Sequence, residues 1–238
     1  MPLRSLVHRA VEAIRLRRKA LLTNFIRVHY SQFGEDIALR ELFGRRRTGF
    51  YVDVGCYHPR KFSNTYALHR RGWHGINVDM EEDKIRLFRL ARPRDENVVA
   101  AVSDVARTVR MYRSRSFGLQ TTIDETLARR ELGYGAPRQG CEVVEIATRT
   151  LEEIVAASPF AGERLDLVSI DAEGHDLQVL RSLDIEARRP EVIVVEEHAR
   201  DIEAILAGEL YDLLASRGYR LHAWTAPSLV FHRQRAAA

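Results

Sequence analysis

From residue 50 onward, two hydrophobic patterns alternate along this chain. Short apolar runs suit buried strands. Apolar residues three and four apart suit helices with one covered face. "GFYVDVG" (49–55) predicts a strand ending at Asp53-Val54-Gly55. "SNTYALHRRGW" (63–73) predicts a helix capped by Ser63 or Asn64. "GINVDM" (75–80) and "NVVAAVSD" (97–104) predict a second and a third strand, with the helix "EEDKIRLFRLA" (81–91) between them. Strands are also expected over 108–114, 141–149, 164–171 and 190–198, and helices over 150–158, 175–183 and 201–218, the last stopped by Gly218. "YRLHAWTAPSLVFHR" (219–233) predicts two strands around Ala226-Pro227. Residues 115–140 are the least regular and are expected to be an insertion on the substrate side.

Alternating strands and helices imply a parallel sheet covered on both faces. The expected fold is α/β: a doubly wound, Rossmann-like, mostly parallel sheet with an antiparallel edge strand and an N-terminal helical extension. Residues 1–30 form the extension and 31–238 the main domain. In the extension, Leu3, Leu6, Val7, Val11, Ile14, Leu21 and Leu22 recur at helical spacing among Arg4, Arg9, Arg15, Arg17, Arg18 and Lys19. Such a basic amphipathic segment suits an anionic membrane surface, its own domain, or a twin subunit in a homo-oligomer.

Composition narrows the class. Of the 238 residues, 45% are hydrophobic and 29% charged, ordinary for a globular protein. Lysine occurs only at 19, 61 and 84, so nearly all 37 basic residues are arginine. Codon bias accounts for that; binding of an anionic substrate is the sharper reading. No nucleic-acid signature is present. Cys56 and Cys141 form no metal or disulfide pattern, which fits a reducing, cytoplasmic compartment. No apolar run approaches the roughly 20 residues that span a bilayer, and the N-terminus lacks a signal-peptide core. Localisation is expected to be cytoplasmic, with membrane association through residues 1–30.

Ligands of open α/β sheets bind beyond the carboxyl ends of the strands. Here those ends carry Asp53, Gly55, Asp79, Ser103, Asp104, Asp171, Glu196, Glu197 and His198. A dinucleotide loop needs several glycines, whereas Asp53-Val-Gly-Cys-Tyr-His-Pro59 has one. A phosphate would also meet like charge. S-adenosylmethionine fits better, because it has no phosphate and carries a sulfonium, an ammonium and a ribose diol. Asp79, one strand–helix–strand unit beyond Gly55, suits the diol. Ser103 and Asp104 suit the adenine amine. The competing readings are a nicotinamide-dependent Rossmann oxidoreductase and a non-catalytic module docked through its N-terminal helix.

The chain resembles the FkbM-type methyltransferases, a branch of the class I S-adenosylmethionine-dependent enzymes. The blocks that carry the resemblance are "SQFGED" (31–36), "VDVGCYHP" (52–59), "FSNTYAL…RGWHGINVD" (62–79), "VSD" (102–104), "TRTLEEI" (148–154), "DLVSIDAEGHDLQVL" (166–180) and "RPEVIVVEEH" (189–198), in family order. Val-Asp79-Met stands where members often have Val-Glu-Pro, and Asp176 where Glu is common. The resemblance implies O-methylation of a hydroxyl on a sugar, glycan or polyketide-type metabolite. It also brings Gln32 and Asn64, with Asp171, into the cofactor-binding set.

Two mechanisms stay open. Either His175 or His198 takes the hydroxyl proton while a nearby acid such as Asp171 orients the imidazole. Or Asp171, Glu196 and Glu197 hold a Mg²⁺ that acidifies a sugar diol. Glu173 is expected to cap the helix near His175, with Gly174 permitting a tight turn. Ser31, Gln32, Glu35 and Asp36 are candidates for a lid over the methionine end. Trp73, Tyr112 and Phe117 are candidates to stack on sugar or adenine, with core packing favoured for Trp73.

Overall fold

A computed structural model describes residues 3–22, 28–114, 121–135 and 141–234. In chain order the elements begin with α1 (Leu3–Leu22), α2 (Glu35–Phe43), β1 (Phe50–Val54), α3 (Tyr66–His69), β2 (His74–Asp79), α4 (Glu82–Ala91), β3 (Glu96–Val99), β4 (Ala101–Val102), β5 (Thr108–Arg113) and β6 (Thr121–Thr122). They continue with α5 (Glu125–Glu131), β7 (Glu142–Arg149), α6 (Leu151–Ala157), β8 (Leu167–Ile170), α7 (Asp176–Arg181), α8 (Ile185–Arg188) and β9 (Val192–Glu196). The last four are α9 (Ile202–Leu206), α10 (Glu209–Ala215), β10 (Tyr219–Thr225) and β11 (Ser228–Arg233).

Seven strands form the main sheet in the order β10-β11-β9-β8-β1-β2-β3. The pairs among β9, β8, β1, β2 and β3 are parallel, and β11 runs antiparallel to both its neighbours. Strand order turns outward in both directions from β1 and β8, so the crevice beyond their carboxyl ends is the switch point where such sheets hold ligands. Both faces are covered. Val52, Val54, Ile76, Val168, Ile170, Ile193 and Val195 pack with Leu151, Ile154, Val179 and Leu214 on one side. Tyr51, Leu167, Val192 and Val194 pack with Leu39, Phe43, Leu68 and Trp73 on the other. Consecutive strand residues serve opposite faces, so the strands read as continuous apolar runs.

Several predicted elements are shorter or placed elsewhere. The strand expected over 97–104 divides: β3 joins the main sheet, while β4 pairs with β7 in a second sheet ordered β4-β7-β5-β6. The helix expected over 63–73 covers only Tyr66–His69, with the Ser63 hydroxyl accepting from the Tyr66 amide. The helix expected over 201–218 breaks at Ala207-Gly208, where Gly208 is extended and begins α10. Within the insertion, 121–135 supplies β6 and α5, and the remainder of 115–140 lies outside the described residues. The Thr150 capping box of α6 is present.

Beneath the loop after β1 lies a buried polar hub. Arg92 is fully buried; its Nη1 donates to Tyr51 Oη, Thr65 Oγ1 and Asn77 Oδ1, and its Nη2 to the Pro59 carbonyl and Ser63 Oγ. Asp95 answers that charge, accepting from Tyr51 at 2.5 Å and from Asn77 at 3.1 Å. The hub fastens the 57–65 loop to the floors of β1 and β2. Among the described residues, no helix is long and apolar enough to cross a membrane.

Candidate active site

The carboxyl ends of β1, β2, β8 and β9 open into a cavity of about 680 Å³. Its lining includes Gly55, Asp79, Asp171, Glu173, His175, Glu196 and His198, with Gln32, Tyr57, Phe62 and Lys84 around them. Backbone geometry at the switch point is tight. Gly55 has φ +74, and a Cβ there would lie 1.7 Å from the Asp171 carbonyl oxygen. Only glycine lets the ends of β1 and β8 meet this closely.

The turn after β8 is tied by Asp176, not by Glu173 as expected. Asp176 accepts from the Ala172 amide at 2.8 Å and the Gly174 amide at 3.1 Å. Glu173 instead lies in the left-handed region, φ 48, and lines the cavity. Its carbonyl accepts from Thr122 Oγ1, so the insertion is latched to this turn. On the far side Thr121 Oγ1 donates to Glu81. Ser114, Thr121 and Ile123 thereby face the cavity.

Burial of so many carboxyl groups together disfavours their charged forms. Burial, then Asp176, pushes Asp171 up to about 7; burial, then Asp171, does the same to Glu173. Glu196 is raised further, by burial and by Asp171 beside it. The Asp171 and Glu196 carboxyls lie at the ends of the adjacent strands β8 and β9, so ionising one disfavours ionising the other. Glu196 Oε2 has no hydrogen-bond partner and lies 3.3 Å from His198 Nε2.

His175 is held differently. Its Nε2 is 2.9 Å from Ser103 Oγ, and that hydroxyl donates to Asp104 Oδ1 at 3.2 Å. With its one proton given to Asp104, Ser103 accepts from a protonated Nε2. Burial lowers the His175 pKa.

Asp79 ends β2 with its carboxylate accepting from the Glu81 amide at 2.9 Å and the Tyr57 amide at 3.3 Å. Burial raises its pKa, and Lys84 opposes that shift. Lys84 itself is buried, with Nζ 2.7 Å from Glu81 and 3.7 Å from Asp79. Sequence reasoning missed Lys84, although its place three residues after Glu81 on a helix was a usable signal. It also missed Tyr57 and Phe62, which adopt φ 47 and φ 56 and stack 6.3 Å apart at the rim. No local pattern announces left-handed aromatic residues.

Of the expected site residues, Gln32, Gly55, Asp79, Asp171, His175, Glu196 and His198 come together around the cavity. Asp53, Asn64, Ser103, Asp104 and Glu197 stand outside its lining. Asp53 accepts from Thr65 at 2.6 Å, and Asn64 donates to Ser169. The expected metal set fails. Glu197 follows Glu196 and its amide donates to Pro227, so the two side chains do not converge. Among the described residues, no group of three or more His, Cys, Asp or Glu is placed to hold a metal ion. Of the lid candidates, Gln32 faces the cavity, while Asp36 is buried accepting from Ser31 Oγ and Glu35 is buried accepting from the Phe33 amide. Trp73 and Tyr112 are buried away from the cavity, and Phe117 lies outside the described residues.

Comparison with curated proteins and with solved structures gives no match. The family model of the methyltransferase FkbM domain matches residues 53–221, from the end of β1 into β10. That span holds the strand ends and turns that build the cavity, and it covers well over half of the chain. The chain belongs to the FkbM methyltransferase family.

Proposed function

We propose that this methyltransferase uses S-adenosylmethionine to O-methylate a hydroxyl of a saccharide, glycan or glycosylated metabolite. One observation carries the cofactor assignment: the switch-point cavity is acidic on three strand ends, at Asp79, Asp171 and Glu196. That donor set suits a sulfonium, an ammonium and a diol, and it repels the pyrophosphate of a nicotinamide cofactor. The acceptor class follows from the family resemblance.

When bound, S-adenosylmethionine supplies an electrophilic methyl group on a sulfonium. Asp79, fixed by two backbone amides, offers its remaining lone pairs to the ribose hydroxyls. Lys84 beside it opposes the effect of burial and favours the ionised form. Asp171 and Glu173, once ionised, set a negative potential along the floor, while Glu196 stays protonated. Tyr57 and Phe62 form an apolar wall at the rim, against which the acceptor is held in line. His198 takes the hydroxyl proton, with the Glu196 carboxyl 3.3 Å from its Nε2. His175 fits that role less well, because its Nε2 is committed to Ser103.

The floor carboxyls make binding pH-dependent. Asp171 and Glu173 have pKa values raised to about 7, so both are largely protonated at pH 6 and ionised at pH 8. A cation binds the ionised floor better. Affinity for S-adenosylmethionine is expected to rise about tenfold from pH 6 to pH 8. S-adenosylhomocysteine, without the sulfonium, is expected to rise less. Calorimetry at pH 6, 7 and 8 checks this, and identical profiles for the two ligands would count against a carboxylate floor under the sulfonium.

The acceptor class is tested by transfer of tritiated methyl groups into a lysate of the producing cell. The expected product is an alkali-stable O-methyl sugar released by acid hydrolysis. Label recovered in nucleic acid, protein or alkali-labile esters would overturn the acceptor assignment.

A further inference from the structure

Helix α1 lies outside the catalytic machinery and exposes an apolar stripe. From residue 8 to residue 21 every side chain on it is exposed. Val11 is 43% exposed, Ile14 58% and Leu21 76%, values that a helix packed on its own domain does not show. Ala10, Val11, Ile14, Arg18 and Leu21 succeed one another at spacings of one, three or four residues, which places them on one side of the helix. Arg15 flanks that side on one edge and Arg17 on the other. Glu12 is the only acid in the helix. Leu16 lies on the opposite side with Ala13 and Ala20.

We propose that α1 docks the enzyme onto an anionic lipid bilayer, lying in the plane of the interface with the Ile14 side down. Arg18 decides between lipid and a second copy of the chain. It occupies the seam between Ile14 and Leu21, where a helix–helix dimer would bury a guanidinium without a carboxylate beside it. At a bilayer surface the same side chain extends its apolar stem along the stripe and raises its charge to the phosphates. Arg15 and Arg17 add attraction to anionic headgroups. The exposed apolar stripe separates lipid from nucleic acid, whose backbone offers it no apolar surface. Binding here would place the cavity near acceptors presented at a membrane, although the docking does not depend on what the cavity methylates.

The test is sedimentation of the full chain with phosphatidylcholine vesicles and with phosphatidylcholine–phosphatidylglycerol vesicles, beside light scattering and binding to a random DNA duplex. The full chain is expected to partition at least about tenfold more strongly onto the anionic vesicles, and less as salt is raised. Ile14→Glu, and separately the Arg15→Glu/Arg18→Glu double variant, are expected to lose at least about tenfold in binding with melting temperature unchanged. Equal binding to both vesicle types, no binding to either, or full binding by the variants would overturn the proposal. So would a dimer that Ile14→Glu dissociates, or DNA binding that exceeds vesicle binding and survives Ile14→Glu.

Discussion

Gly55→Ala is expected to abolish cofactor binding and to lower stability by about 3 kcal/mol or more. Three features combine there. The residue sits at φ +74, which alanine adopts only with strain. Its new Cβ would fall 1.7 Å from the Asp171 carbonyl, a backbone atom that cannot swing aside. Its amide donates to Val78 at 2.8 Å, so the peptide cannot retreat without losing β2. The contact with Asp171 can be relieved only by parting β1 from β8, and that is the crevice in which the cofactor would lie. Thermal melting together with titration of S-adenosylhomocysteine checks both halves. A variant that melts normally and binds normally would show that the two strand ends are not held as closely as described.

His198→Ala is expected to reduce methyl transfer by about 10²- to 10⁴-fold, the usual worth of a positioned general base. Cofactor affinity should change little, because His198 stands at the β9 side, away from Asp79. A sugar hydroxyl is a weak nucleophile, and the in-line geometry alone does not remove its proton. His198 has a carboxyl partner in Glu196 and more than half of its side chain exposed toward arriving acceptor. His175 is fixed between Ser103 and α7, and His175→Ala is expected to cost less. Rates are to be measured with the acceptor that the labelling experiment identifies. Full activity in His198→Ala, with loss in His175→Ala, would move the proton acceptor to the other imidazole. Loss of turnover on adding EDTA would instead revive a metal-assisted route.

The sheet was legible because buried parallel strands leave continuous apolar runs, as in "YVDV" and "VIVVE". The helices between them were legible from their apolar spacing and from signals such as the cap at the start of 150–158. What failed had local causes. Ala100 and Ala101 are small and buried, and the chain crosses between sheets there without breaking its apolar run. Gly208 splits a helix whose hydrophobic spacing continues across it. In the site, the sequence indicated that Asp79, Asp171, Glu196 and His198 lie at strand ends, and topology brought them together. It did not indicate that the Asp171 and Glu196 carboxyls would be raised so far, because that depends on how completely the surrounding elements bury them. Nor did it separate Glu173, which enters the cavity, from Asp176, which ties the turn.

The central claim is that the acidic switch-point cavity is a site for S-adenosylmethionine. Isothermal calorimetry of the intact protein with S-adenosylhomocysteine and, separately, with NADH tests it most directly. One-to-one binding of S-adenosylhomocysteine, weakened at least about tenfold by Asp79→Ala, is the predicted result, with no heat from NADH. A folded protein that ignores S-adenosylhomocysteine, or that takes NADH in its place, would contradict it.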